Sequence, residues 1–333
     1  MSTLLARRTD GLHRPLLAFS AAMAVAAVLT GLGILVDDRV LDGVPIWSKP
    51  FKFAVSFVAY CPALAWMLSL LPRGRRVGWW AGTVVTVGFV IEMAIITGQA
   101  ARSRHSHFNR STPLDAALYD VMAVTVVILW LAALVIAVLL LRARILDPDQ
   151  AWAVRLGSLI ALAGAAIGFV MSRNITPEQV AAGGRAAGSP MVGAHSVGVP
   201  DGGPGMPITG WSTTGGDLRI AHFFGMHALQ VLPLLLLALA ALAPRIARLR
   251  DPRVRLRLIL VGSGAYAAVF ALLTWQALRG QPLLRPDAST LVAAAAVLVV
   301  GAAATWAALR TAPRPVEPSG ADATPDPVKE YAA

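Results

Sequence analysis

The stretch Gly215-Gly216-Asp217-Leu218-Arg219-Ile220-Ala221-His222-Phe223-Phe224-Gly225-Met226-His227-Ala228-Leu229-Gln230 leads a glycine-rich loop into an apolar segment that runs on to Leu242. Such a segment has the length that an α-helix needs to cross a hydrocarbon core, about 20 residues at roughly 1.5 Å each. The pattern recurs along the chain. Spans are predicted at Pro15 to Val36, Phe51 to Leu71, Val77 to Gly98, Leu118 to Leu141, Val154 to Met171, Ile220 to Leu242, Leu258 to Leu278 and Leu291 to Leu309. The predicted fold is therefore all-α, a polytopic membrane helical bundle of about eight transmembrane helices.

Composition agrees. Of 333 residues, 56% are hydrophobic and 14% charged, with a formal net charge of +11. The basic residues sit in short clusters between apolar runs, so membrane topology explains them and nucleic acid is not an expected partner. The single cysteine, Cys61, excludes an intramolecular disulfide. The first apolar run is followed by Asp37-Asp38 without a small-residue cleavage pattern and reads as a retained helix.

Lysine and arginine placement sets the orientation. With residues 1–14 inside, 18 basic residues fall on the cytoplasmic side and 11 on the other, which puts both termini in the cytoplasm and the protein in the cytoplasmic (inner) membrane. Residues 15–310 form the membrane domain on this reading. Residues 311–333, rich in Pro, Ala, Asp and Glu, read as a disordered cytoplasmic tail. The long extracytoplasmic loop 172–218 is dense in Gly and Pro, as a lid, a binding loop or a disordered segment would be.

The chain also echoes itself. Thr97-Gly98-Gln99-Ala100-Ala101-Arg102 closes the third span and Thr274-Trp275-Gln276-Ala277-Leu278-Arg279 the seventh. Placing Pro62 on Pro233 sets Phe51 against His222 and Ser56 against His227. This suggests a four-plus-four parallel repeat with halves 15–141 and 154–310.

An ionisable group in hydrocarbon costs about 2.5–3.5 kcal/mol on insertion scales, so it turns towards protein or a wet cavity. Polar side chains at membrane depth are thus the site candidates, and they gather at the outer ends of the second, third, fourth and sixth spans. Lys49, Lys52, Ser56 and Tyr60 recur at helical spacing on the second span. Glu92, Gln99, Arg102, Asn109 and Asp120 come from the third and fourth spans and their connection, and Asp217, Arg219 and Gln230 from the opening stretch. Lys52, or an Arg from the next turn out, is the expected counter-ion of Glu92. His107, His222 and His227 are candidate metal ligands. His222 and His227 lie five apart, about 140° round a helix, so neither could hold an ion without help from another segment. Asn109-Arg110-Ser111 matches a glycosylation acceptor.

At Trp47-Ser48-Lys49-Pro50-Phe51-Lys52-Phe53, Ser106-His107-Phe108-Asn109, and Gly210 to Thr213 through Gly216 to Arg219, the chain resembles an uncharacterised family of bacterial multi-pass membrane proteins. That resemblance carries no activity. In span number and outer histidines the architecture is similar to the haem A synthase family, whose paired intramembrane histidines are not found here.

Three functions are compatible with these residues. The first is a haem- or divalent-metal-dependent site, redox or hydrolytic, in which Glu92 and Asp120 tune the histidines and Lys52 or Arg219 holds an anionic group. The second is a small-solute or proton-coupled transporter lined by Lys52, Glu92 and Gln99, against which the apolar inner halves of the spans argue. The third is a sensor or binding protein that grips a lipid or a small anionic ligand without catalysis.

Overall fold

The computed structural model describes residues 11–181 and 190–310. The tail 311–333 and the segments 1–10 and 182–189 lie outside the described residues, and with them the expectation of a disordered tail. In chain order the elements are α1 (Arg14–Val36), a short ribbon of β1 (Val40–Leu41) and β2 (Val44–Pro45), α2 (Ser48–Ser69), α3 (Arg75–Ala101), α4 (Pro113–Arg142) and α5 (Pro148–Met171). There follow α6 (Pro177–Ala181), a second ribbon of β3 (Ser196–Val197) and β4 (Gly216–Asp217), α7 (Leu218–Leu242), α8 (Pro252–Leu278) and α9 (Ala288–Arg310). Eight helices, all but α6, are long and apolar enough to cross a membrane. The protein is an all-α helical bundle of the multi-pass membrane type.

The helices outrun their apolar windows because capping signals start them earlier. Thr112 accepts a hydrogen bond from the Asp115 amide, Asp217 from that of Arg219 and Asp251 from that of Arg253. Pro113, Pro148 and Pro252 stand in the first turn, where a missing N–H leaves nothing unsatisfied.

The two halves pack in the same order. In the first, α1 lies on α2 and α3, α2 on α3, and α3 on α4; in the second, α5 lies on α7 and α8, α7 on α8, and α8 on α9. They meet where α4 touches α5 and α2 touches α7. The correspondence reaches single hydrogen bonds at the ends of α3 and α8. Ser103 and Gly280 both turn left-handed, with φ of 56° and 70°. Arg104 N–H then reaches Gln99 O at 2.9 Å, and Gln281 N–H reaches Gln276 O at 3.2 Å. The Gln99 side-chain amide donates to His105 O at 3.3 Å and that of Gln276 to Pro282 O at 2.9 Å. Arg102 pairs with Asp115, and Arg279 with Asp287, each at the start of the next helix. These matches support the four-plus-four reading.

One contact differs sharply. A Cβ on Gly164 of α5 would lie 2.5 Å from the carbonyl carbon of Gly225 of α7, so these helices touch backbone to backbone. The first-half contact at Gly31 meets a side chain instead, the Phe51 ring at 3.4 Å. Close backbone approach through small residues is how helices associate where lipid supplies no hydrophobic drive.

Candidate functional site

The polar site forms at the end of the bundle where the connections 37–47, 102–112 and 190–217 meet. The β1–β2 ribbon delivers the chain into α2, whose first two turns carry Lys49 and Lys52. The β3–β4 ribbon delivers it into α7, whose first two turns carry Arg219 and His222. Gly216 is obligatory there, since a Cβ would fall 2.0 Å from Ala277 O at the end of α8.

Lys49, Lys52, Arg219, His107, His195 and His222 are all half-buried. Lys49 Nζ donates to Ser106 Oγ at 2.7 Å and lies 3.0 Å from His107 Nδ1, itself 3.0 Å from Ser106 Oγ. An ammonium has only hydrogens to offer, so Nδ1 of His107 is the acceptor and its Nε2 carries the proton. Burial holds His107 well below the usual imidazole range, and the Lys49 charge pushes the same way.

Lys52 Nζ donates to Thr209 O at 2.8 Å, and Arg219 Nη2 donates to the neighbouring Gly210 O at 2.8 Å. Those carbonyls sit at the tip of a hairpin closed by Met206 N–H to Trp211 O and Thr213 N–H to Pro204 O. The tip is strained, because the β-branched Ile208 has a φ of 69° and projects 85% exposed. Arg219 also forks onto Asp217, Nε to Oδ1 at 2.9 Å and Nη2 to Oδ2 at 2.6 Å, while Asp217 caps α7 and accepts from Ser212 N–H.

His195 closes the site from the loop. Its Nδ1 is 3.0 Å from Asp201 Oδ2, and Asp201 further accepts the main-chain N–H groups of His195 and Ser196. Burial lowers the His195 imidazole despite that carboxylate. Burial alone would raise the Asp201 carboxyl, yet His195 and the two N–H groups hold it far below its ordinary range. His222 Nδ1 faces Gly164 O at 2.8 Å, so it must be protonated there, leaving Nε2 as a lone-pair acceptor. Beneath these groups aromatic rings cross the seam between the halves, Phe53 on Phe223 at 6.2 Å between centroids and on His107 at 6.5 Å.

Several sequence candidates stand elsewhere. Gln99 and Arg102 belong to the repeated anchor: Gln99 Nε2 donates to the fully buried Asp115 at 2.9 Å, and Arg102 binds both. Asp120 is exposed and paired with Arg110. Asn109 is 2% exposed and folds its own connection, donating to His105 O and accepting from Ser111 N–H and Oγ, so the acceptor pattern for glycosylation is internal. Tyr60 packs on Phe89 and lines a cavity of about 40 Å³ between the halves with Ser158 and Met226. Gln230 is buried, one turn from His227, with no hydrogen bond to its amide. Glu92 is 5% exposed with Oε1 unpartnered, and among the described residues it makes no ion pair with Lys52. Lys52 is held instead by the loop carbonyl of Thr209, which no residue pattern announces.

Among the described residues no three His, Cys, Asp or Glu side chains could hold a metal ion. His107 Nδ1 is taken by an ammonium, and His227 does not join His222. Sequence reasoning missed Ser106 and Asp201 as partners. Ser106 was visible as the neighbour of His107, and Asp201 as the acid of the Val199-Pro200-Asp201-Gly202 turn.

Comparison of the chain with protein-family models, with curated proteins and with solved structures finds no match. What stands of the sequence resemblance is the coarser statement, a multi-pass helical membrane protein.

Proposed function

We propose that this protein binds an anionic group, carboxylate or phosphate, in the crevice bounded by Lys49, Lys52 and Arg219, at the outer-leaflet end of a bundle in the cytoplasmic membrane with both termini inside. The carrying observation is that Lys52 and Arg219, from helices on opposite sides of the seam, point to two adjacent main-chain oxygens, Thr209 O and Gly210 O. Neutral carbonyls are weak partners for cations, and a charge-assisted bond to an anionic oxygen is roughly twice as strong. Among the described residues Arg219 has one carboxylate, Asp217, and Lys52 has none within 4.0 Å. At ion-pair distance one carboxylate, Asp217, faces these cations, with Asp42, Asp201 and Glu92 acting from further off, and a ligand anion would give Lys52 the charged partner it lacks.

His222, with its Nε2 lone pair free, supplies an acceptor for a hydroxyl on such a group. The aromatic floor of Phe53 and Phe223 favours an anion carried on an apolar body, such as a lipid head, over a fully hydrated one. No chemistry is needed for this reading, which is one of binding.

The test is calorimetric titration of the full chain in detergent with inorganic phosphate, dihexanoyl phosphatidate and dihexanoyl phosphatidylcholine. Phosphatidate is expected to bind, phosphatidylcholine to bind much more weakly, and Lys52→Gln to weaken phosphatidate about tenfold or more. Arg219→Gln should weaken it further while leaving Asp217 without its partner. Failure of every anion to bind, or binding that ignores both substitutions, would defeat the proposal.

A further inference from the structure

A second site lies at the opposite end of the bundle and is independent of the first. The helices α3 and α4 touch through two leucines seated on glycines. Leu129 fills the place of a Cβ on Gly88, which would lie 2.6 Å from Leu129 Cδ2, and Leu139 does the same at Gly74, at 3.0 Å. Between these seats the floor is made by Ala81 and Ala132, each 8% exposed and too small to close the gap. A groove of about 550 Å³ results, walled by Trp80 and Val84 on one side and Ile128 and Val135 on the other.

The groove is apolar except at one end, where Arg76 stands. Arg76 is exposed and makes no ion pair among the described residues. Arg73 and Arg75 flank it, and Arg142 and Arg144 close α4 at the same end. No carboxylate occurs in segments 70–76 or 139–144. From Arg76 to Val84 the helix rises about 12 Å, so a chain lying in the groove would run along the membrane normal with its head at the arginines.

We propose that this groove holds an acyl chain of an anionic phospholipid whose phosphate meets Arg76. The apolar lining suits an acyl chain of any lipid, and the arginines select the charge of its head. Basic pockets between transmembrane helices recognise anionic heads by this means, each basic group contributing a preference of about fivefold.

The experiment uses the full chain reconstituted in vesicles of equal parts phosphatidylglycerol and phosphatidylcholine, extracted in mild detergent, with co-purified lipid quantified by mass spectrometry. Phosphatidylglycerol is expected at about five times its bilayer ratio. Arg76→Gln, at an exposed position that folding tolerates, should return the ratio close to that of the bilayer. Ala132→Leu, which fills the groove, should lower retention of both lipids, and Arg285→Gln at the other end should change nothing. A wild-type ratio equal to the bilayer's overturns the proposal, as does enrichment that survives Arg76→Gln. Enrichment lost in Arg76→Gln but kept in Ala132→Leu overturns the part given to the groove.

Discussion

In the first half of the bundle, the helix that follows the β ribbon carries Lys49 and Lys52; with Pro62 set on Pro233, the second half carries Ile220 and Phe223 at those places. Where the second half has His222 and His227, the first has Phe51 and Ser56. Yet Gln99 and Gln276, Arg102 and Arg279, and Asp115 and Asp287 perform matched tasks at the ends of α3 and α8 and the starts of the helices that follow. Residues that recur hold the scaffold, because the same loop must be closed twice. Residues that occur once gather at the seam, and these are the candidates for binding.

The contrast can be broken first at the helix crossings. Gly164→Ala drives a methyl into the backbone of Gly225 and also moves the carbonyl that orients His222, so a loss of about 3 kcal/mol or failure to fold is expected. Gly31→Ala, against the edge of Phe51, should stay within about 1 kcal/mol. Thermal unfolding of both variants in detergent, followed by size-exclusion fluorescence, ranks them; equal midpoints would show that the crossings are not different.

The repeated anchors come next. Asp115 is fully buried and serves Gln99, Arg102 and Thr112, so Asp115→Ala should lower stability by about 3 kcal/mol. Asp287 does the same work in solvent, with its side chain 39% exposed, and Asp287→Ala should have a much smaller effect on the same melting assay. If the two losses match, burial is not what separates the halves.

The smallest effect expected is on pH dependence, and it belongs to the unrepeated connections. Burial lowers both His107 and His195, so between their folded values and about 6.5 the unfolded chain binds more protons than the folded one. Their contribution is complete above about pH 6.5 and is lost as pH falls below it. Asp201, depressed from 3.8, keeps its contribution until more acidic conditions. Melting midpoints should therefore drop from pH 7 to pH 5, and His107→Asn with His195→Asn should flatten that drop. A slope unchanged in the double variant would place the titrating groups elsewhere.

Much of this was legible beforehand, and unevenly. The eight spans followed from run length alone, and the shared Gln and Arg at the ends of two spans announced that the two turns are closed alike. Lys52, His107, Arg219 and His222 were expected to turn away from lipid, because polar groups at membrane depth must face protein or water, and each is half-buried. The counter-ion expected for Glu92 does not form an ion pair with it among the described residues, since helical spacing puts Lys49 and Lys52 on one face without saying what each side chain reaches, and they reach Ser106 and Thr209 O. Gln99, Arg102 and Asn109 fasten the connection between α3 and α4, and such bonds across a turn leave no mark on the sequence.

Hydrophobic run length determined that this chain is a helical membrane bundle, since each span's demand for lipid or protein contact is local to that span. Tertiary structure alone decided that Thr209 and Gly210 of a distant loop cover Lys52 and Arg219, and that a groove ending in Arg76 opens between α3 and α4. Both depend on how the helices come to rest against each other, which is settled by shape at the crossings and by carbonyl directions that every residue type shares.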